Sequence, residues 1–188
     1  MLPLLLMLME VSNDRLPAAD FSDLALPLLD QLYNFARWLT QDASEADDLV
    51  QETFTKALRG FSGFQPGTNF RAWMFRILRN SFLTSRTGMK VNVVLDDEVA
   101  ETIASPEPSP EHVLIEQVNR ETVRKALEEL SVPFREILLL CEVEEMSYEE
   151  IAQVLTIPTG TVMSRLHRAR KALRALVIEK RKDKPHEL

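Results

Sequence analysis

Apolar positions along this chain recur in steps of three and four, the spacing of one helix face, and nowhere in a sustained alternation of two. Leu24, Leu28, Leu32, Phe35 and Leu39 share one stripe and predict an amphipathic helix over about 22–40. A second helix starts after Asp42 or Ser44, either of which can cap it, and buries Ala46, Leu49, Val50, Phe54, Ala57 and Leu58. Gly60, Gly63, Pro66 and Gly67 then form a loop, and from about Asn69 a third helix turns Phe70, Trp73, Met74, Ile77, Leu78 and Phe82 inward. Farther along, 113–130 reads as a helix, Ser131-Val132-Pro133 as a break, and "FREILLLCEV" as the next helix. Ser147 and Glu150 have capping-box spacing, which opens a short helix running to about Leu155. Thr156-Ile157-Pro158 is a turn and Thr159 the next N-cap. In the last helix Val162, Leu166, Ala169, Leu173 and Leu176 alternate steps of four and three, a stripe expected to face the short helix before it.

Composition agrees with an all-α chain. Of 188 residues, 45% are hydrophobic, enough for packed cores, whereas 5 glycines and two tyrosines argue against a β-rich sandwich. The single cysteine, Cys141, lies in an apolar run, so no internal disulfide can form; it is expected to pack as a small buried hydrophobe in a reducing, cytoplasmic setting. The opening "MLPLLLMLMEV" has no basic flank and no small-residue cleavage site, and its apolar run is too short to span a bilayer. It reads as a disordered or mis-started leader over 1–20, with Met7 or Met9 as alternative first residues and a surface anchor as the other reading.

Charge changes the picture more by its placement than by its total of −7. From Gly60 to Lys90 there is no Asp or Glu, but Arg71, Arg76, Arg79, Arg86 and Lys90 are present; between Val91 and Asn119 seven carboxylates appear with no Lys or Arg. The acidic stretch contains "SPEPSPE", whose alternating prolines favour extended backbone and cannot build a core. The expected organisation is therefore two small helical domains, 21–90 and 112–180, joined by an acidic, Pro-containing linker at 91–111, with a tail at 181–188.

Three segments carry candidate chemistry. "IPTGTVMSRLHRARKALR" gathers Arg165, Arg168, Arg170, Lys171 and Arg174 around His167 without a carboxylate. Its apolar stripe leaves Met163, Ser164, His167, Arg168 and Lys171 outside, behind a short helix and a tight turn. That is the helix-turn-helix pattern, in which the start of the second helix enters the DNA major groove; arginines there pair with guanine edges or hold phosphates. A solvated basic face is the alternative, and the capped short helix, the turn proline and the lack of i,i+4 acids within the segment favour DNA. "FQPGTNFRAWMFRILRNSFLTSR" interleaves aromatics with arginines, a mixture suited to unpaired bases and their backbone. Since Phe70, Trp73 and Phe82 have core spacing, base contacts are expected from the preceding loop and the outward polar residues. "SEADDLVQETF" crowds Glu45, Asp47, Asp48 and Glu52 into the first turns of a helix, more carboxylates than the helix dipole calls for, and so suits a basic partner surface. No metal-spaced His or Cys cluster, phosphate-cradling glycine loop or paired nucleophile is visible, and His112, His167 and His186 stand apart. No catalytic residue, metal or cofactor is expected. A stand-alone helix-turn-helix regulator, dimerising on paired half-sites, is the competing functional class.

"DASEADDLVQETFTKALRGFSGFQPGTNFRAWMFRILRNSF" together with "SYEEIAQVLTIPTGTVMSRLHRARKAL" resembles a bacterial RNA polymerase sigma factor of the extracytoplasmic-function group, over roughly residues 24–176. The resemblance implies that Asp48, Gln51 and Glu52 dock on the clamp coiled coil of the largest subunit of core RNA polymerase. It implies that the region from Phe64 to about Arg86 reads and melts the −10 element, through Phe64, Thr68, Asn69, Arg76 and Asn80. The final helix would read the −35 element of promoter DNA through Thr161, Met163, Ser164, Arg165, His167, Arg168 and Lys171. Met163 and His167 depart from residues found in several relatives, so the preferred −35 sequence does not carry over. By the same resemblance the acidic linker threads through the polymerase toward the RNA exit path. "PGTNFRAWMFRILRN" resembles the subgroup held by zinc-binding, redox-sensitive anti-sigma factors, which implies such a partner, a cytoplasmic protein and no membrane insertion.

Overall fold

A computed structural model describes residues 17–88 and 120–182, which form helices and connecting turns and, among the described residues, no strand. The leader before residue 17, the linker, residues 113–119 of the helix expected to start at 113, and the last six residues lie outside them. The chain divides into two compact units: one takes in the described residues 17–88 together with 149–157, the other 120–148 with 158–182.

In the first unit, the single helix expected over 22–40 is two. Helix α1 (Pro17–Ala25) gives way to a 3-10 turn (Leu26–Leu28), and α2 (Leu29–Thr40) follows. Pro27 is the cause: it has no N–H to donate and disfavours the helical conformation of Leu26. The break shifts the phase of the buried stripe, so Phe21 and Ala25 are fully buried while Leu24 is 46% exposed. Helix α1 also begins four residues ahead of the boundary expected at 21. Gln41, left-handed at φ 61°, ends α2, its N–H donating to the Arg37 carbonyl. Of the two candidate caps for α3 (Ala43–Gly60), Asp42 is the one used: it is extended, and its Oδ1 accepts from the Glu45 N–H at 2.9 Å. Gly60 belongs to this helix, which passes into a 3-10 turn (Phe61–Gly63).

Helix α4 (Phe70–Gly88) is capped by Asn69, whose Oδ1 accepts from the Ala72 N–H at 2.9 Å. Its buried face comprises Ala72, Met74, Phe75, Leu78 and Phe82; Phe70, Trp73 and Ile77, expected inward, are only half-buried. Helices α2, α3 and α4 pack on one another, with the Phe35 and Phe75 rings 5.3 Å apart at the centre. Each such ring withdrawn from water stabilises the unit by about 1.5–3 kcal/mol.

In the second unit α5 (Arg120–Glu129) is followed by α6 (Val132–Leu138), which continues as a π turn (Leu139–Val143) where an unbroken α-helix was expected. The Glu144 N–H donates to the Leu139 carbonyl five residues back. The wider turn buries both Leu139 and Leu140 and brings Cys141 to the edge of the core: the thiol is half-buried, with the Arg170 Nη2 3.7 Å from Sγ, rather than enclosed as expected. Arg135 is buried and donates to the carbonyls of Leu127, Glu128 and Leu130, at and just past the C-terminal end of α5. Burial pushes its pKa down from the usual arginine range. The remaining helices are α7 (Tyr148–Leu155), which from Glu149 on belongs to the first unit, and α8 (Thr159–Lys182) of the second. Val162, Leu166 and Ala169 of α8 are buried, and the helix packs on α5 and α6.

Candidate nucleic-acid interface

The turn between α7 and α8 is built by its backbone. Thr156 is left-handed at φ 57°, and the Ile157 N–H donates to the Ala152 carbonyl at 3.1 Å, which closes α7 with a Schellman turn. The Pro158 carbonyl accepts from the N–H groups of Thr161 and Val162 at 2.9 and 3.1 Å. Pro158 therefore holds the cap position expected of Thr159, which is instead the first helical residue.

On α8 the residues pointing outward form one row. Met163 is 53% exposed, and His167 and Lys171, one and two turns later, are exposed as well. Thr161, Ser164 and Arg168 flank the row and are half-buried; the Ser164 hydroxyl donates to the Thr161 carbonyl at 3.1 Å. Arg165 does not join them. It is three residues after Val162 and four before Ala169, which sets it on the buried stripe, and only 8% of its side chain is exposed. Its Nη1 lies 4.0 Å from Oε1 of Glu136, a carboxylate 1% exposed. The expectation that Arg165 reads the −35 element is corrected accordingly: its charge faces the protein interior.

Arg170 is likewise engaged, its Nε and Nη2 donating to Glu142 Oε1 at 3.0 and 2.7 Å. The segment carries no acid, but α6 and the π turn supply two from across the unit. Farther along α8, Lys180 pairs with Glu129. Glu136 and Glu142 lie outside the basic segment, whose own residues give no sign of them; the apolar period of α8 is the signal that marks Arg165 as inward.

In the first unit the acidic helix presents Asp48 and Glu52 to solvent, with Gln51 half-buried beside them. Glu52 pairs with Lys56 at 2.6 Å, and Lys56 also donates to the Ser81 hydroxyl at 3.0 Å. Glu45 pairs with Arg86 at 2.6 Å, and the Arg86 guanidinium lies over the Phe82 ring. Between these pairs is a shallow hollow of about 170 Å³ floored by Leu49 and Phe82.

Phe64, expected to meet a base, instead belongs to an aromatic cluster. Its ring stacks on Phe61 with centroids 6.1 Å apart and meets Phe70 and Trp73 at 5.3 and 5.1 Å. It is half-buried, so only part of it is left for a ligand. The Thr68 hydroxyl donates to the Gln65 carbonyl at 2.8 Å and stays exposed, while Asn69 spends its side-chain oxygen on capping α4. Arg76 and Asn80, four residues apart on α4, are both exposed; Arg79 is buried. Among the described residues no cluster of His, Cys, Asp or Glu could hold a metal, and no helix is long and apolar enough to cross a membrane.

An acid-faced helix, an arginine-bearing helix with exposed polar residues, and a short helix, turn and long helix with an outward row ending in lysine are the features of a helical nucleic-acid-binding protein. Residues 24–88 match the family model for Sigma-70 region 2, and residues 120–173 that for Sigma-70, region 4. The extracytoplasmic-function (ECF) RNA polymerase sigma factor EcfG of Rhodopseudomonas palustris is 38% identical over 81% of this chain and 82% of its own length. ECF sigma factor SigE of Mycolicibacterium smegmatis is 32% identical over 88% of this chain, which spans 64% of that longer protein. Among solved structures, the sigma factor RpoE in complex with the anti-sigma factor NepR from Bartonella quintana aligns with a TM-score of 0.64 at 34% identity, over 84% of this chain and 96% of that one. CnrH in complex with the cytosolic domain of CnrY has a TM-score of 0.62 over 93% and 96%, and at 24% identity shares the fold. The chain belongs to the sigma-70 family of RNA polymerase sigma factors, in its extracytoplasmic-function group. Sigma factors direct transcription initiation with RNA polymerase and are not themselves enzymes.

Proposed function

We propose that this chain engages core RNA polymerase through the outward carboxylates of α3, chiefly Asp48 and Glu52 with Gln51, and reads promoters through two surfaces. The loop at 64–69 with Arg76 and Asn80 holds the separated −10 element. The outward row of α8, Met163, His167 and Lys171 with Thr161, Ser164 and Arg168 at its sides, reads the −35 element. The observation that carries this reading is that the exposed residues of α8 lie at the start of the helix that follows the turn, the part of a helix-turn-helix that meets base edges. By likeness to the Bartonella RpoE complex, an anti-sigma factor holds this protein in reserve in the cytoplasm. That the partner is zinc-binding and redox-sensitive rests on the resemblance of 66–80 alone.

Transcription in vitro with core polymerase, on templates randomised separately over the −35 and −10 elements, tests the reading. Strong base preference in both windows is the expected result, with gel shifts that require core polymerase. Specific DNA binding by the chain alone, with no polymerase-dependent transcripts, would favour the stand-alone regulator.

A further inference from the structure

The outward row of α8 changes chemistry along its length. Met163, at the fifth residue of the helix, offers a thioether and a methyl; His167 follows, and Lys171, about 12 Å farther along the axis, offers a cation. A long apolar side chain exposed over 53% of its surface at the DNA-facing end of such a helix has no donor with which to meet the acceptors of a guanine edge or a phosphate. One group on the floor of the major groove does match it, the C5-methyl of thymine, which base recognition uses through apolar contact. Arg165, the cation nearest Met163 in sequence on this helix, is turned inward against Glu136 and does not compete for the same base.

We propose that Met163 is a specificity-determining residue that selects thymine at one position of the −35 element by burying its side chain against the thymine methyl. This rests on the reading of α8 as the −35 helix. The contact removes a methyl-sized area from water on each partner, so its loss is expected to lower promoter use by about 4-fold, the factor that one buried methylene supplies. It discriminates thymine from cytosine and also thymine from uracil, which no hydrogen-bonding contact to the pyrimidine edge does.

The test uses the full chain with core polymerase. Wild-type protein first selects its preferred −35 element from a randomised library. Each thymine of that element, on either strand, is then replaced singly by deoxyuridine, which deletes the methyl and keeps every donor and acceptor. One replacement is expected to lower the initial transcription rate about 4-fold for wild type, to leave Met163→Ala unaffected, and to act on Met163→Leu as on wild type. Two results overturn the proposal while leaving the −35 reading intact: strong −35 preference with no sensitivity to deoxyuridine anywhere, or sensitivity that persists in Met163→Ala. Absence of any −35 preference removes the underlying reading, and the proposal with it.

Discussion

Replacing Arg165 by Ala separates an interior role from a DNA-contacting one. In the folded chain the Arg165 guanidinium and the Glu136 carboxylate are 4.0 Å apart, with 8% and 1% of their side chains exposed. Removing one partner of a buried pair strips the other charge of that compensation in a poor solvent, a loss of about 3–5 kcal/mol. A contact at the outer limit of an ion pair belongs at the lower end, about 3 kcal/mol, which is roughly a 150-fold rise in the equilibrium for opening α6 and α8. Hydrogen exchange read by mass spectrometry resolves this by segment: peptides from α6 and α8 are expected to lose protection by that factor, and peptides from α2, α3 and α4 to keep theirs. The double variant Arg165→Met, Glu136→Leu removes both charges and keeps volume, so it should recover most of the protection. The reasoning is refuted if Arg165→Ala exchanges like wild type in α6 and α8 yet alters preference within the −35 element.

Lys171→Ala should reduce the slope of log affinity against log salt for promoter binding by about 0.9, one phosphate contact, whereas Arg170→Ala should leave the slope unchanged because its charge is already matched by Glu142. Equal effects of the two substitutions would contradict the geometry of α8. Hydrogen bonds from Arg124 hold the Glu121 carboxyl at about 2, down from 4.5, so a carboxyl titration followed by NMR should find it ionised at pH 3 in wild type and back in the ordinary range in Arg124→Gln. Because the folded value is the depressed one, the pair's contribution is present above the unfolded pKa near 4.5 and is lost as pH falls through about 2; on an exposed surface that contribution is small.

Helix after helix was legible because apolar spacing and capping residues agreed. Asp42 and Asn69 each precede an amphipathic run and each accepts a hydrogen bond from the first turn of the helix it opens. Where two local signals disagreed, the stronger-looking one misled. The stripe from Leu24 to Leu39 ran unbroken across Pro27, and the proline decided the backbone. In "ILLLCEV" a continuous apolar run has no phase, so nothing in it announces a π turn; packing in the second unit selects that turn and lifts Cys141 to the edge of the core. For Phe64 the resemblance implies a −10 contact, while nothing local announces the ring contacts with Phe61, Phe70 and Trp73 that half-bury it in a cluster only the folded chain assembles. Arg165 is the opposite case: its place on the helical period, between Val162 and Ala169, is readable in the sequence and points inward despite its charge.

The inward charge of Arg165 bears on why this chain works as a polymerase subunit. Of the five Lys and Arg residues between positions 157 and 174, Arg165 faces Glu136, Arg170 is held by Glu142, and Arg174 is engaged as well. The outward face keeps Arg168 and Lys171 as its cations beside Met163, Ser164 and His167. Counterion release scales with the number of phosphates neutralised, so a surface with about two phosphate-reaching cations gains little nonspecific affinity, and a net charge of −7 opposes even that. A regulator that must hold DNA by itself is poorly served by such a face. A subunit that arrives on DNA already bound to a partner is well served, because the partner can supply phosphate contacts while the sparse face of α8 adds discrimination between bases. The same acidity that weakens free DNA binding would favour a basic partner surface at Asp48 and Glu52, so the docking proposed for α3 and the base reading proposed for α8 draw on one charge distribution.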